Sequence, residues 1–474
     1  MAGSSREVEL EALVAELVAE NRVLRERVEE LERRLSQDSR NSSKPPSTDP
    51  PPSRAERRRL ARAQVKKLSA RKPGGQPGHE GKNRQAAPAE RVDRCSDHLP
   101  ECCSGCGHDF DGSERRVGDP VIHQKWELPA VRPLIFEYRL LRLCCPGCGK
   151  LQLAGLPAGV SGSAFGPKLE AHIATLAGVF RLSRRQVAEV VREMFHIEIS
   201  TGAVDATIMR MSAVLADPWE SLAEAIREAE VIHADETSWR LRGRDQWLWL
   251  AATALFACYR IDPSRSQAAA KELLGEDFGG FVISDRYAGY HFLDVLQQQL
   301  CWAHVIRQLI ELSERQGAAG KLGSKLVKAA REVFRIHRLY LEDEHTLAWL
   351  QEQLSPVQER IRTLLAQGTR GRHEKTANFC HGLLEEWQAL WTFCEVPDIP
   401  LTNNAAERAL RHAVIMRKIQ GGTQSEQGDH WIERILSVTE TCRLQGRSKL
   451  AYLIDAATAA HHGQPAPSLL PLPP

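Results

Sequence analysis

The sequence predicts a multidomain α/β protein. Its parts are an N-terminal coiled coil, a zinc ribbon, a helix-turn-helix-like helical segment, and an α/β domain interrupted by a helical insertion. Three observations carry that prediction. Leucines recur every seven residues near the N-terminus, CxxC pairs are duplicated between Cys103 and Cys148, and apolar strand-like runs leading into carboxylates precede a long helical stretch. A chain of 474 residues has room for all of these, since domains run roughly 100–200 residues.

Residues 8–36 read as a leucine zipper. Leu10, Leu17, Leu24 and Leu31 fit position d, and Val14, Asn21, Val28 and Leu35 fit position a. Asn at one a position costs stability but favours a parallel dimer in register. Glu20 and Arg25 pair across such a dimer, as do Arg27 and Glu32. The alternative is an amphipathic helix packed inside its own subunit.

Residues 37–94 read as a basic, Pro/Gly-rich linker. Net charge is only +2, yet eleven Lys or Arg stand against two Glu between Arg54 and Arg84. A basic run of this kind suits a polyanion such as DNA.

Of twelve cysteines, seven cluster between Cys95 and Cys148, which points to metal rather than a disulfide framework. Cys103–Ser–Gly–Cys106–Gly and Cys145–Pro–Gly–Cys148–Gly are matching knuckles. Four thiolates in two CxxC pairs suit a closed, structural zinc site, with a redox pair as the alternative. Cys95, Cys102 and Cys144 are left over and keep the ligand set open. Residues 95–155 form this ribbon, and the strand-like pieces Val121–Leu128 and Leu134–Leu143 predict a β-sheet insert.

Residues 166–215 turn helical. Ser183 and Ser200 are the expected N-caps of two helices with a tight connection. The arrangement is like a helix-turn-helix, although ordinary helical packing also explains it.

The α/β domain spans 225–425, with a helical insertion at about 310–396. Trp247–Tyr259 reads as two strands or one long one, and Gln299–Val305 as a strand turning into a helix. A helical region follows at 426–462, and the tail from Pro465 to Pro474 is expected to be loose. No run approaches the roughly 18 apolar residues of a membrane span, and the first residues are polar, so a soluble intracellular protein is expected.

The chemistry lies in three carboxylates. Asp235 follows the apolar run from Ala229 to Ala234, and Asp285 follows Phe281–Ser284. Both are expected at strand ends. Glu407 sits at a helix start, in Thr402–Asn–Asn–Ala–Ala–Glu407–Arg408. Hard divalent cations take oxygen ligands, and two of them can clamp the attacking and leaving oxygens of a phosphodiester displacement. Glu236 and Thr237 are candidates to support the first Asp. Arg286, Tyr287 and Tyr290 follow the second and are read as DNA contacts or packing residues. Cys301 and His304 form a CxxH, half a zinc site at most, so His304 is read as a hydrogen-bonding group near the site or a structural histidine. Arg408 and Arg411, with Arg417 and Lys418, are candidates for phosphate contact.

With these motifs in this order, the chain resembles the IS sixty-six family of bacterial insertion-sequence transposases. The resemblance runs from the zipper through Asn41–Pro46 and Arg71–Glu80 to the zinc knuckles. It continues through His233–Thr237, Tyr287–Tyr290, Cys301–His304 and Asn403–Arg408. It implies an RNase H-like catalytic fold and DDE chemistry with Mg (or Mn), in which Asp235, Asp285 and Glu407 are catalytic metal ligands. It implies structural Zn at Cys103, Cys106, Cys145 and Cys148. The implied partners are double-stranded DNA (terminal inverted repeats and target), a second copy through the zipper, and small accessory proteins of the element, in the bacterial cytoplasm at the nucleoid. Arg286 stands where the family usually has Gly, and Glu236 where Asp is commoner. The alternatives are a catalytically inactive DNA-binding regulator derived from a transposase, and a simple nuclease without strand transfer.

Overall fold

The computed structural model describes residues 86–342 and 344–470. The expected zipper at 8–36 and most of the linker at 37–94 lie outside the described residues. The described chain divides into two compact units, residues 86–132 in one and residues 133–470 in the other.

Five strands form the sheet of the larger unit. They are β1 (Val231–Leu241), β2 (Arg244–Ala252), β3 (Ala257–Asp262), β4 (Phe281–Ser284) and β5 (Gln298–Leu300), in the order β3-β2-β1-β4-β5. The first three make an antiparallel meander, while β4 runs parallel to β1 and β5 parallel to β4. The β1–β2 turn is tight because Arg242 and Gly243 both take positive φ, the geometry that a two-residue hairpin requires. Trp247–Tyr259 is therefore two strands, β2 and β3, broken at Thr253–Phe256.

Helices cover both faces. Before the sheet come α1 (Pro167–Ala174), α2 (Arg184–Phe195), α3 (Thr201–Val214) and α4 (Ala216–Arg227). The expected caps are present: Ser183 accepts from Gln186 N and closes a capping box, and Ser200 accepts from Ala203 N. α5 (Gln267–Leu274) links β3 to β4, and α6 (Trp302–Ser313) follows β5. The insertion continues as α7 (Gly317–Glu342), α8 (Leu347–Thr369) and α9 (Glu374–Glu385). Its apolar core joins the β4–β5 edge through Ile283 and Leu300. The chain returns as α10 (Asn404–Gln420), α11 (Glu426–Leu444) and α12 (Lys449–His461).

One sheet face, with Trp239, Leu248, Leu250 and Tyr259, packs on α1–α3 and α10–α12. The opposite face, with Ile232, Ala234, Trp249 and Val282, packs on α4 and α5. No described helix is long and apolar enough to cross a membrane.

Two expectations are overturned. Val121–Leu128 and Leu134–Leu141 form no strands, and only Arg142–Cys144 pairs, with Leu151–Leu153. Pro120, Pro129 and Pro133 punctuate this stretch and remove ladder donors. Its apolar side chains find no facing layer: Val121 is 99% exposed and Ile135 87%. Conversely, the tail is docked as far as it is described. Leu469 is buried, and Pro467 and Leu469 carbonyls accept from Tyr452 Oη and Gln445 Nε2.

Candidate active site

Asp235 lies mid-strand rather than at a strand end, paired across β2 with Leu250. The strand continues because the next polar residue is buried with partners. Side chains alternate along β1, so Ile232, Ala234 and Glu236 point to one face and His233 and Asp235 to the other. Glu236 has a side chain only 1% exposed. Its carboxylate accepts two bonds from Arg265, at 2.8 and 2.6 Å, and one from Tyr290 Oη at 2.9 Å. Arg265 in turn stacks on Tyr287, 3.9 Å from the ring centre. Tyr290 and Tyr287 thus serve packing and charge compensation. Arg265, in the loop between β3 and α5 with no motif around it, gave no signal in the sequence.

Asp285 directly follows β4, where its Oδ1 accepts from Tyr287 N at 2.9 Å. Glu407 occupies the first turn of α10, as expected of a helix start. These three carboxylates share one neighbourhood. Burial, then the charges of Glu236, Asp285 and Glu407, hold the Asp235 carboxyl well above its ordinary range. The crowding around Asp235 is of like charge, the kind of repulsion that a bound cation relieves. Among the described residues, no three His, Cys, Asp or Glu side chains stand close enough to ligate one ion in this arrangement.

His304 comes to the same place. Its Nε2 lies 3.6 Å from Glu407 Oε1, and its buried Nδ1 has no hydrogen-bond partner. Burial, then Arg307, pull its pKa below the usual value. Arg307, missed in the sequence, donates to the same Glu407 oxygen at 2.8 Å. Its signal was spacing: residues three apart share a helix face, and Arg307 is one turn beyond His304. Arg286 turns away from the carboxylates, donates from Nε to Glu386 at 2.6 Å and lies over Phe379. It ties the loop after β4 to the insertion.

Asn403 was also missed, because an Asn before a helix reads as a cap. It is fully buried, and its side chain makes no cap bond. Instead Oδ1 accepts from His233 Nδ1 at 2.9 Å, Nδ2 donates to Ala234 O at 2.7 Å, and the backbone N–H points at Cys301 Sγ, 3.1 Å away.

Arg408 and Arg411 are exposed on the outer stripe of α10 with Ile415, Lys418 and Ile419. None of these three cations has an ion-pair partner among the described residues. Arg417 points inward and bonds Ser238. The following Gly421–Gly422 is required by geometry: a Cβ on Gly422, at φ +102°, would meet Arg240 O at 2.2 Å.

The cysteine knuckles fall in separate units, one to each. They share one backbone pattern. Cys103 N–H donates to His108 O and Gly107 N–H to Cys103 O, both at 2.8 Å. Cys145 N–H donates to Lys150 O at 2.9 Å and Gly149 N–H to Cys145 O at 2.8 Å. Gly107 and Gly149 take φ of +74° and +73°. Backbone N–H groups of Gly105 and Cys106 lower the Cys103 pKa, and those of Cys148 and Gly147 lower that of Cys145. Amides aimed at sulfur favour thiolates, which is what a zinc ligand must be.

Comparison with known proteins places the site in context. The uncharacterized protein y4hP of Sinorhizobium fredii (strain NBRC 101917 / NGR234) is 26% identical over 402 residues, covering 77% of this chain and 71% of that protein. The uncharacterized protein y4qI of the same strain is 24% identical over 417 residues, covering 80% and 74%. Residues 2–85 match a family of unknown function, DUF6444. Residues 162–430 match the Transposase IS66 family. That stretch is more than half of the chain and holds the whole sheet, the insertion and all three carboxylates, so the chain belongs to the Transposase IS66 family.

Proposed function

We infer that this chain cuts and joins DNA as the transposase of a bacterial insertion sequence, with Asp235, Asp285 and Glu407 as its catalytic carboxylates. The observation that carries this is their convergence from β1, the end of β4 and the first turn of α10, on a sheet ordered β3-β2-β1-β4-β5. That order, an antiparallel meander followed by two parallel strands, supports an RNase H-like reading.

The three carboxylates would hold Mg (or Mn). When bound, such ions supply the positive charge that phosphodiester displacement demands on the attacking and leaving oxygens. The chain's own groups do the rest. Arg265 neutralises Glu236 on the far face, so Asp235 stays available. Arg307 and His304 orient Glu407. Arg408, Arg411 and Lys418 form an unpaired cationic stripe that begins beside Glu407, which suits a DNA backbone entering the site. Cys103, Cys106, Cys145 and Cys148 would hold structural Zn. This ribbon and the helices α2 and α3 would bind terminal inverted repeats, and the zipper at 8–36 would pair two copies. Accessory proteins of the element and residence at the nucleoid follow from the same reading.

Strand transfer in vitro tests it. Purified chain, Mg and labelled duplex carrying the element's ends are mixed with plasmid. Joined products from the native chain, and none from Asp285→Ala, are expected. End binding by both proteins without cleavage would instead indicate a DNA-binding regulator.

A further inference from the structure

We propose that Asn403 is a positioning residue that sets the spacing between Asp235 and Glu407. The proposal rests on the reading of those carboxylates as metal ligands. Asn403 occupies the N-cap of α10, four residues before Glu407. Asn at an N-cap ordinarily accepts from the helix's own amides. Here the side chain is turned away from the helix and spent on β1.

Both ends of the amide are used, and this fixes its orientation. Nδ2 must donate, because Ala234 O can only accept. Oδ1 is therefore the acceptor, and His233 carries its proton on Nδ1. Ala234 immediately precedes Asp235, and His233 shares the face of β1 that bears Asp235. The third bond goes elsewhere: Asn403 N–H meets Cys301 Sγ, the residue before α6, whose His304 and Arg307 both reach Glu407. One fully buried residue thus links the strand of the first carboxylate, the helix of the third, and the helix that orients the third. Apolar packing of α10 on the sheet is non-directional, whereas two opposed hydrogen bonds to one strand fix both a distance and a direction.

Groups that orient metal ligands change metal affinity about 10–100-fold when removed. Mn2+ binding to the full chain, followed by electron paramagnetic resonance, tests the proposal without DNA or turnover. Asn403→Ala is expected to weaken Mn2+ by about tenfold or more. In cleavage assays its kcat should fall while KM for the DNA ends holds. Asn404→Ala, the exposed neighbour, should match the native chain in both. His233→Ala removes only one of the two side-chain bonds and should give a smaller loss. Combined with Asn403→Ala it should add nothing, as expected for residues acting through one contact. If Asn403→Ala does not fold, His233→Ala carries the test, and native Mn2+ affinity in it overturns the proposal. Native Mn2+ affinity in a folded Asn403→Ala does the same while leaving the proposed function standing. A native chain that binds no Mn2+, like Asp285→Ala, overturns both.

Discussion

The three carboxylates and the two cysteine knuckles are held in opposite ways. Around Asp235 the fold supplies packed, hydrogen-bonded surroundings: buried Asn403, buried Glu236 with Arg265 and Tyr290, and helices on both faces. Around Cys103 and Cys145 it supplies backbone turns and little else. Apolar residues from Val117 to Leu156 are exposed, and the one described hairpin there has three residues a side. Surroundings built by packing keep their order without a ligand, whereas turns with few packing partners gain order from whatever binds them.

Removing zinc tests this contrast most severely. With zinc in the knuckles as proposed, a chelator should raise the rate of proteolytic cutting between residues 95 and 156. Thermal unfolding of the α/β core should stay put. Cys145→Ser should copy the chelator. A chain purified without bound zinc, or equal cutting rates with and without it, would remove the distinction.

The reverse perturbation comes next in size. Trp302 is buried, donates from Nε1 to Leu390 O at 2.7 Å, and packs edge-on against Trp391 at 5.0 Å. Trp302→Ala should cost about 3–5 kcal/mol in urea unfolding of the core. Zinc content should be unchanged. Loss of zinc along with core stability would mean that the two regions fold as one.

The sequence reveals these regions unequally, for physical reasons. Ser183 and Ser200 are legible because a cap is a local bond. β4 is legible because its apolar run ends at Asp285, and α10 because Thr402–Arg408 reads as a helix start. β1 was truncated because a polar residue reads as a strand end unless its distant partners are known. Glu236 continues the strand only because Arg265 and Tyr290, 29 and 54 residues away, satisfy it. Asn403 fails for the same reason: its side chain serves a strand 170 residues earlier. The expected strands at 121–128 and 134–143 fail in reverse, apart from the last two residues of the second, which pair in a short hairpin. Their apolar residues are strand formers, but no described layer faces them.

The smallest effect concerns the charge stored in the packed site. Burial and the neighbouring acids raise the folded pKa of Asp235 above its unfolded value. The folded state therefore favours the protonated form. Below the ordinary carboxyl value, about 4, both states hold the proton and the penalty vanishes. As pH rises through the folded pKa, the charged form must be accommodated, and stability is lost. In metal-free protein, Asp235→Asn should therefore raise the melting temperature at pH 8, by about 2–4 °C per kcal/mol relieved. That gain should shrink steadily as the pH is lowered toward about 4. Added Mg should reverse the order, stabilising the native chain more than the variant, because a cation relieves the same repulsion. Chelator sensitivity of the knuckles should not change. A gain that persists undiminished in acid would locate the effect in packing rather than charge. A variant less stable than native at pH 8 would show that the crowded carboxylates carry no stored penalty.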